Sequence, residues 1–66
     1  MNGISFEPLW QTMEQRGISQ YKLMQMGIDT RLLDALRHNK NITLLSLKRI
    51  CDVLDCTPDQ VVKFDK

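Results

Sequence analysis

In the stretch TRLLDALRH, Thr30, Arg31, Asp34, Arg37 and His38 alternate with Leu32, Leu33, Ala35 and Leu36 at helical spacing. On a helix the polar set takes one side and the leucines the other. A guanidinium in the first turn of such a helix can take the O6 and N7 of guanine bidentately. A carboxylate one turn on can accept from a cytosine amine, or merely repel a phosphate. The other reactive side chains support less. His38 is the single histidine, and Cys51 and Cys56 are the two cysteines, in CDVLDC. Zinc takes four ligands from closely spaced pairs, so this set predicts no metal site. Cys51 reads as a small core residue and Cys56 as a residue near a helix end, with no disulfide in a reducing compartment. His38 reads as a surface residue or a partner of the helix C-terminal dipole. No Ser-His-Asp grouping, phosphate loop or carboxylate pair with a cleft can be assembled. The chain is therefore not expected to be an enzyme, or to use a cofactor or a small-molecule substrate.

Charge is uneven along the chain. Arg31, Arg37, Lys40, Lys48 and Arg49 face Asp34 alone between residues 31 and 50, a net +4, against −1 for residues 1–30 and −2 for residues 51–66. Clustered basic charge points to a polyanionic partner. A solvated face gives the same pattern, so charge alone does not decide.

The elements that would position these residues belong to a small domain. The 66 residues are 42% hydrophobic and 26% charged, globular values for one domain. A core this small leaves a stability margin of about 3–5 kcal/mol. No apolar run approaches the ~20 residues that cross a bilayer. The N-terminus lacks the basic-then-apolar order of a signal peptide. A cytoplasmic protein with no membrane partner is expected.

Helical periodicity recurs throughout. In SFEPLWQTMEQRG, Phe6, Leu9, Trp10 and Met13 predict a helix over about 6–16, capped by Ser5 and ended by Gly17, with Trp10 a core anchor. Ser19 caps a second helix, with Leu23 and Met24 inward and Tyr21 half-buried, and Gly27 closes it after about seven residues. Met13, Met24 and Met26 read as core filling or a small patch. Asp29 caps a third helix over about 30–38, with Leu32, Leu33 and Leu36 inside. Thr43 caps a fourth, on which Leu44, Leu47, Ile50, Cys51 and Leu54 form a stripe. TPDQ is a capping box that opens a last short helix, where Val61, Val62 and Phe64 close the core. No stretch shows sustained strand alternation. The fold class is all-α, five short helices.

The second and third helices, joined through MGID, have the makings of a helix-turn-helix. Gly27 supplies the positive φ that a steep turn needs, and Ile28 plugs the gap between the helices. The second of the pair must be apolar inside and polar outside to enter a major groove about 12 Å wide.

ISQYKLMQMGIDTRLLDALRHNK and ITLLSLKRICDVLDCTPDQVV resemble the lambda-repressor-like, Cro/C1-type (XRE) helix-turn-helix family, over about residues 18–64. The resemblance implies one compact five-helix domain over 1–66, with the helix-turn-helix at about 19–38. It implies a bacterial or phage transcriptional regulator that binds double-stranded DNA sequence-specifically, the recognition helix at about 30–38 lying in the major groove. By position, Thr30, Arg31 and Asp34 face base edges. Gln20 contacts phosphate and braces the recognition helix, and Ser19, Lys40 and Asn41 lie near backbone phosphates. The helix N-termini at Ser19 and Thr43 add amides to that surface.

Three positions depart from the family pattern. Arg37 stands where glutamate is frequent, so the usual internal ion pair is absent or reversed. Asn39 stands where glycine is usual, and asparagine is the next best left-handed residue. Ala35 stands where a base-reading side chain is frequent, so readout is sparse. A protein-interaction module on the same fold, antitoxin-like or a phage anti-repressor partner, is the alternative. Two-fold operators require dimers. A homodimer would use the last helix, the first helix or a DNA-supported contact.

Overall fold

The computed structural model describes residues 3–64. In chain order they form β1 (Ile4–Ser5), α1 (Glu7–Gln15), α2 (Gln20–Gln25), α3 (Thr30–Arg37), α4 (Leu44–Leu54), a 3-10 helix (Pro58–Gln60) and β2 (Lys63–Phe64). The five expected helices are thus four α-helices and one 3-10 turn among the described residues. β1 and β2 pair antiparallel, Ile4 opposite Phe64 and Ser5 opposite Lys63. Strands of two residues are too short to leave an alternating pattern, so periodicity does not reveal them. Among the described residues no helix is long and apolar enough to cross a membrane.

Capping chemistry starts three of the helices. Ser19 Oγ accepts the Lys22 N–H at 3.1 Å, Asp29 Oδ1 the Leu32 N–H at 2.7 Å, and Thr43 Oγ1 the Ser46 N–H at 3.0 Å. α1 differs from expectation. Ser5 belongs to β1 and Phe6 holds the cap position, although the Ser5 hydroxyl still accepts the Glu7 N–H at 3.3 Å. The Phe6 N–H goes instead to Asn39 Oδ1, 2.9 Å away and 33 residues along the chain. In the expected capping box, Gln60 Oε1 accepts the Thr57 N–H at 3.2 Å.

All four α-helices end alike. A left-handed residue follows the helix, and the next amide folds back onto a carbonyl of the last turn. The returning bonds are Ile18 to Met13 (2.9 Å), Ile28 to Leu23 (3.3 Å), Lys40 to Ala35 (2.9 Å) and Cys56 to Cys51 (3.0 Å). The left-handed residues are Gly17, Gly27, Asn39 and Asp55. Gly27 has a φ of +112°, outside the left-handed well that asparagine or aspartate tolerates, and so is specific to glycine.

The core is built from Phe6, Leu9, Met13, Leu23, Ile28, Leu33, Leu36, Ile50, Cys51, Leu54 and Val61. Trp10, Leu32, Leu47 and Val62 pack against its margin. Three polar links cross it. Thr12 Oγ1 donates to the Gln60 carbonyl at 2.8 Å, the Leu9 N–H to the Val61 carbonyl at 3.2 Å, and the Arg16 guanidinium to the Leu54 carbonyl. They join α1 and its C-cap Arg16 to the end of α4 and the segment after it.

Four apolar expectations are corrected. Leu44 is 83% exposed and Phe64 79% exposed, where the pattern put both in the core. The phase of α4 puts Leu44 on the same side as Leu47 and Cys51, but in its first turn it lines an open groove with Ile4, Val62 and Phe64. Phe64 lies on β2 rather than on a helix, beyond the buried Val61. On α2, Tyr21 is 70% and Met24 38% exposed. A six-residue helix has one narrow face, and Leu23 occupies it.

Candidate nucleic-acid interface

α3 presents its polar side outward as the spacing predicts. Leu33 and Leu36 are buried and Leu32 and Ala35 half-buried, while Thr30, Arg31, Asp34, Arg37 and His38 are exposed. The turn Met26–Asp29 joins it to α2, with Ile28 fully buried between the two helices. Thr30 and Arg31 occupy the first turn, and Asp34 lies one turn on. The Asp34 carbonyl lies 2.9 Å and its Oδ1 3.4 Å from His38 Nδ1, so this acid and the histidine are neighbours on one helix face.

The two ends of α3 have different surroundings. At its C-terminal end the Arg37 guanidinium donates through Nε and Nη2 to Gln20 Oε1, at 2.9 and 2.5 Å. A neutral carbonyl thus takes the place of the ion pair whose absence or reversal the sequence suggests. Gln20 keeps its carbonyl for Arg37, and its NH₂ end is the one that can donate outward. At the other end, Arg31, Leu32 and Ala35 line an open depression together with Asn41, Thr43 and Ser46. Asn41 lies in the connection to α4, and Thr43 and Ser46 belong to the first turn of that helix. The outer edge of α3 therefore runs between the start of α2 and the start of α4.

The other residues that the resemblance singles out lie near this edge. Ser19 is the exposed N-cap of α2, its oxygen facing the Lys22 amide. Lys40 and Asn41 are exposed in the connection after Asn39. Arg31 and Asn41 are brought together in the depression, whereas Ser19 and Gln20 belong to the opposite end. Basic charge follows the edge, with Arg31 at one end, Arg37 at the other and Lys40 beyond.

The structure adds contacts that sequence reasoning does not reach. Asn39 tethers the start of α1 through the Phe6 amide, and its residue type signals only the left-handed turn. Thr43 and Ser46 flank Arg31, which no local pattern announces. Cys51, buried on α4, and Cys56, just after that helix, are free thiols. Burial pushes both thiols up from their ordinary value; at Cys51 the neighbouring Cys56 adds to the effect, and at Cys56 the Arg16 charge opposes it. Lys48 is raised by its hydrogen bond to Asp52, Nζ to Oδ2 at 2.7 Å. Among the described residues no three His, Cys, Asp or Glu side chains gather as a metal would require.

Comparison with known proteins addresses the same elements. No curated protein matches the chain. A solved structure, "Crystal structure of transcriptional regulator VanUg, Form II", superposes with a TM-score of 0.83 at 24% identity, covering 91% of this chain and 81% of that one. At that identity the likeness establishes the fold. The model of the Cro/C1-type HTH DNA-binding domain matches residues 8–66, which includes α2, the turn, α3 and α4. The chain therefore belongs to the Cro/C1-type helix-turn-helix DNA-binding domain family.

Proposed function

We propose that the chain is a sequence-specific transcriptional regulator that lays α3 in the major groove of double-stranded DNA. Thr30, Arg31 and Asp34 are the base-facing residues, and Ser19, Gln20, Lys40 and Asn41 meet the flanking phosphates. The observation that carries the reading is the position of Arg31. It is exposed in the first turn of a helix braced at its far end by the Arg37–Gln20 bond, and it shares a depression with Asn41 and the first turn of α4. A guanidinium so placed has the reach and geometry for a guanine edge, and the start of α4 has the polarity for a phosphate. The Arg37–Gln20 bond supports a fixed angle between α2 and α3, which a base-reading helix needs because a displacement of an ångström breaks bidentate geometry. Ala35, half-buried beside Arg31, adds no hydrogen-bonding group, so few side chains carry the specificity.

The domain acts in the cytoplasm, without catalysis, and reads two-fold sites as a homodimer. Selection of bound duplexes from a random pool by the purified protein tests this reading. A short enriched motif containing guanine is expected. A protein that enriches no motif and retains no duplex would leave the protein-interaction module as the function of the fold.

A further inference from the structure

We propose that Cys51 and Cys56 form a redox modification site, a dithiol at the C-terminal end of α4 that closes to an intramolecular disulfide by exchange with a small-molecule disulfide. The backbone brings the pair together. Asp55 turns the chain at φ 52°, and the Cys56 N–H returns to the Cys51 carbonyl at 3.0 Å while the Asp55 N–H returns to the Asp52 carbonyl at 3.4 Å. This double return sets the side chains of its first and last residues against each other. On α1 and α2 the same two positions hold Met13 with Ile18 and Leu23 with Ile28, apolar pairs at the core. On α4 they hold two thiols, which are hydrogen-bonded to each other. A disulfide requires Cβ atoms about 3.5–4.5 Å apart, so it forms between side chains that the backbone already holds together.

The two sulfurs differ in role. Cys51 is buried on α4, and Cys56 is half-buried beyond its end, open to an incoming reagent. Burial is the largest influence on both thiols and pushes each up. At Cys56 it is opposed by the Arg16 charge and by the hydrogen bond from Cys51, whereas at Cys51 the neighbouring Cys56 adds to it. Arg16 is held beside this turn by its bonds to the Leu54 and Asp55 carbonyls. Cys56 is therefore the attacking thiol and Cys51 the resolving one.

The exchange balances with these two sulfurs and the incoming disulfide alone. The Cys56 thiol gives its proton to solvent, and its Sγ bonds to one sulfur of the small disulfide. The other sulfur leaves as a thiolate and takes up a proton. Cys51 Sγ then loses its proton and attacks Cys56 Sγ, and the second small thiolate leaves and is protonated in the same way. Two thiols of the chain are oxidised to one disulfide, and one small disulfide is reduced to two thiols. The bond fastens the last turn of α4 to the segment that leads to Gln60 and Val61, whose carbonyls hold α1.

Equilibration of the intact chain in glutathione buffers of graded redox poise, with acid quenching and mass spectrometry, tests the proposal. The same series in concentrated urea gives the pair's behaviour without the fold. The intramolecular disulfide, read by the loss of two hydrogens, is expected to be favoured in the folded chain by about tenfold or more over the chain in urea. The oxidised chain is then the more stable, and its Tm is expected to rise. A ratio near one or below it would overturn the proposal, as would a folded chain that yields only glutathione adducts or disulfides between chains. Cys51→Ala is expected to stop at a glutathione adduct on Cys56. Cys56→Ser is expected to take up glutathione on the buried Cys51 about tenfold or more slowly than that. Circular dichroism checks that both variants fold, and the wild-type ratio decides the disulfide whatever their outcome. Equal uptake by two folded variants would overturn the assignment of Cys56 as the attacking thiol.

Discussion

The Arg37 guanidinium, on the last residue of α3, donates to the Oε1 of Gln20, the first residue of α2, through Nε at 2.9 Å. The two residues lie 17 apart in sequence, so this bond closes the helix-turn-helix on the side opposite its turn. It sets the α2–α3 angle with an uncharged acceptor. That leaves the start of α2 without a negative charge where a phosphate would approach.

Gln20→Glu separates the bracing role of this residue from its DNA role. A carboxylate at position 20 would pair with Arg37, and an exposed pair changes stability by only about 0–1 kcal/mol. The same carboxylate would repel a phosphate. Urea unfolding is expected to show a midpoint equal to or above that of the wild type, with duplex affinity lower by about tenfold. Equal affinity for DNA would remove Gln20 from the interface and leave it a bracing residue alone.

Asn39 combines a left-handed backbone, φ 54°, with a side chain that accepts the Phe6 N–H. Asn39→Gly keeps the backbone and deletes the tether, at a cost of about 1 kcal/mol. Asn39→Ala loses both, and about 1 kcal/mol more is expected from the left-handed strain. Chemical denaturation of the two variants checks the order. If alanine were no worse than glycine, the turn would not require the left-handed conformation.

Gly27 isolates backbone strain from packing. Its φ is +112°, and a Cβ built there would meet nothing within 4 Å. Gly27→Val is therefore expected to cost more than about 1 kcal/mol through conformation alone. An unchanged Tm would show that α2 and α3 can adopt another turn.

Much of this architecture is legible in the residues because its signals are local. Ser19, Asp29 and Thr43 start helices through bonds to amides three residues on, and Gly27 and Asn39 end the first two of these within one turn, whereas the left-handed Asp55 that ends α4 carries no such signal. Leu44 and Phe64 show the limit. Periodicity tells which side of an element is apolar but not whether another element lies against it, and here both side chains stay exposed. Tyr21 and Met24 fail for a related reason, since a six-residue helix buries too little to hold three side chains inside. At the site, the exposure of Thr30, Arg31 and Asp34 follows from the leucines opposite them. Long-range pairs such as Arg37 with Gln20 and Asn39 with Phe6 have no signature in spacing, because the fold alone brings them together.

Arg31 carries the proposed specificity. Arg31→Ala is expected to cost about 1–3 kcal/mol on the preferred duplex and to relax preference at one position, with little loss on random DNA. Competition binding with the selected motif and its single-base variants reads this out. An equal loss on every duplex would make Arg31 a phosphate contact.

The salt dependence of duplex binding, wild type against Lys40→Ala, tests the central claim most directly. Lys40 is exposed between Asn39 and the cap of α4, beside the α3 edge. With roughly 3–5 phosphates met per protomer, log K is expected to fall against log salt with a slope of about −3 to −4.5. Lys40→Ala is expected to flatten that slope by about one unit, to weaken every duplex alike, and to leave stability within about 0.5 kcal/mol of the wild type. A wild type with no salt-dependent affinity for any duplex would contradict the DNA-binding account. An unchanged slope in Lys40→Ala would contradict the placement of the α3–α4 connection along the phosphates.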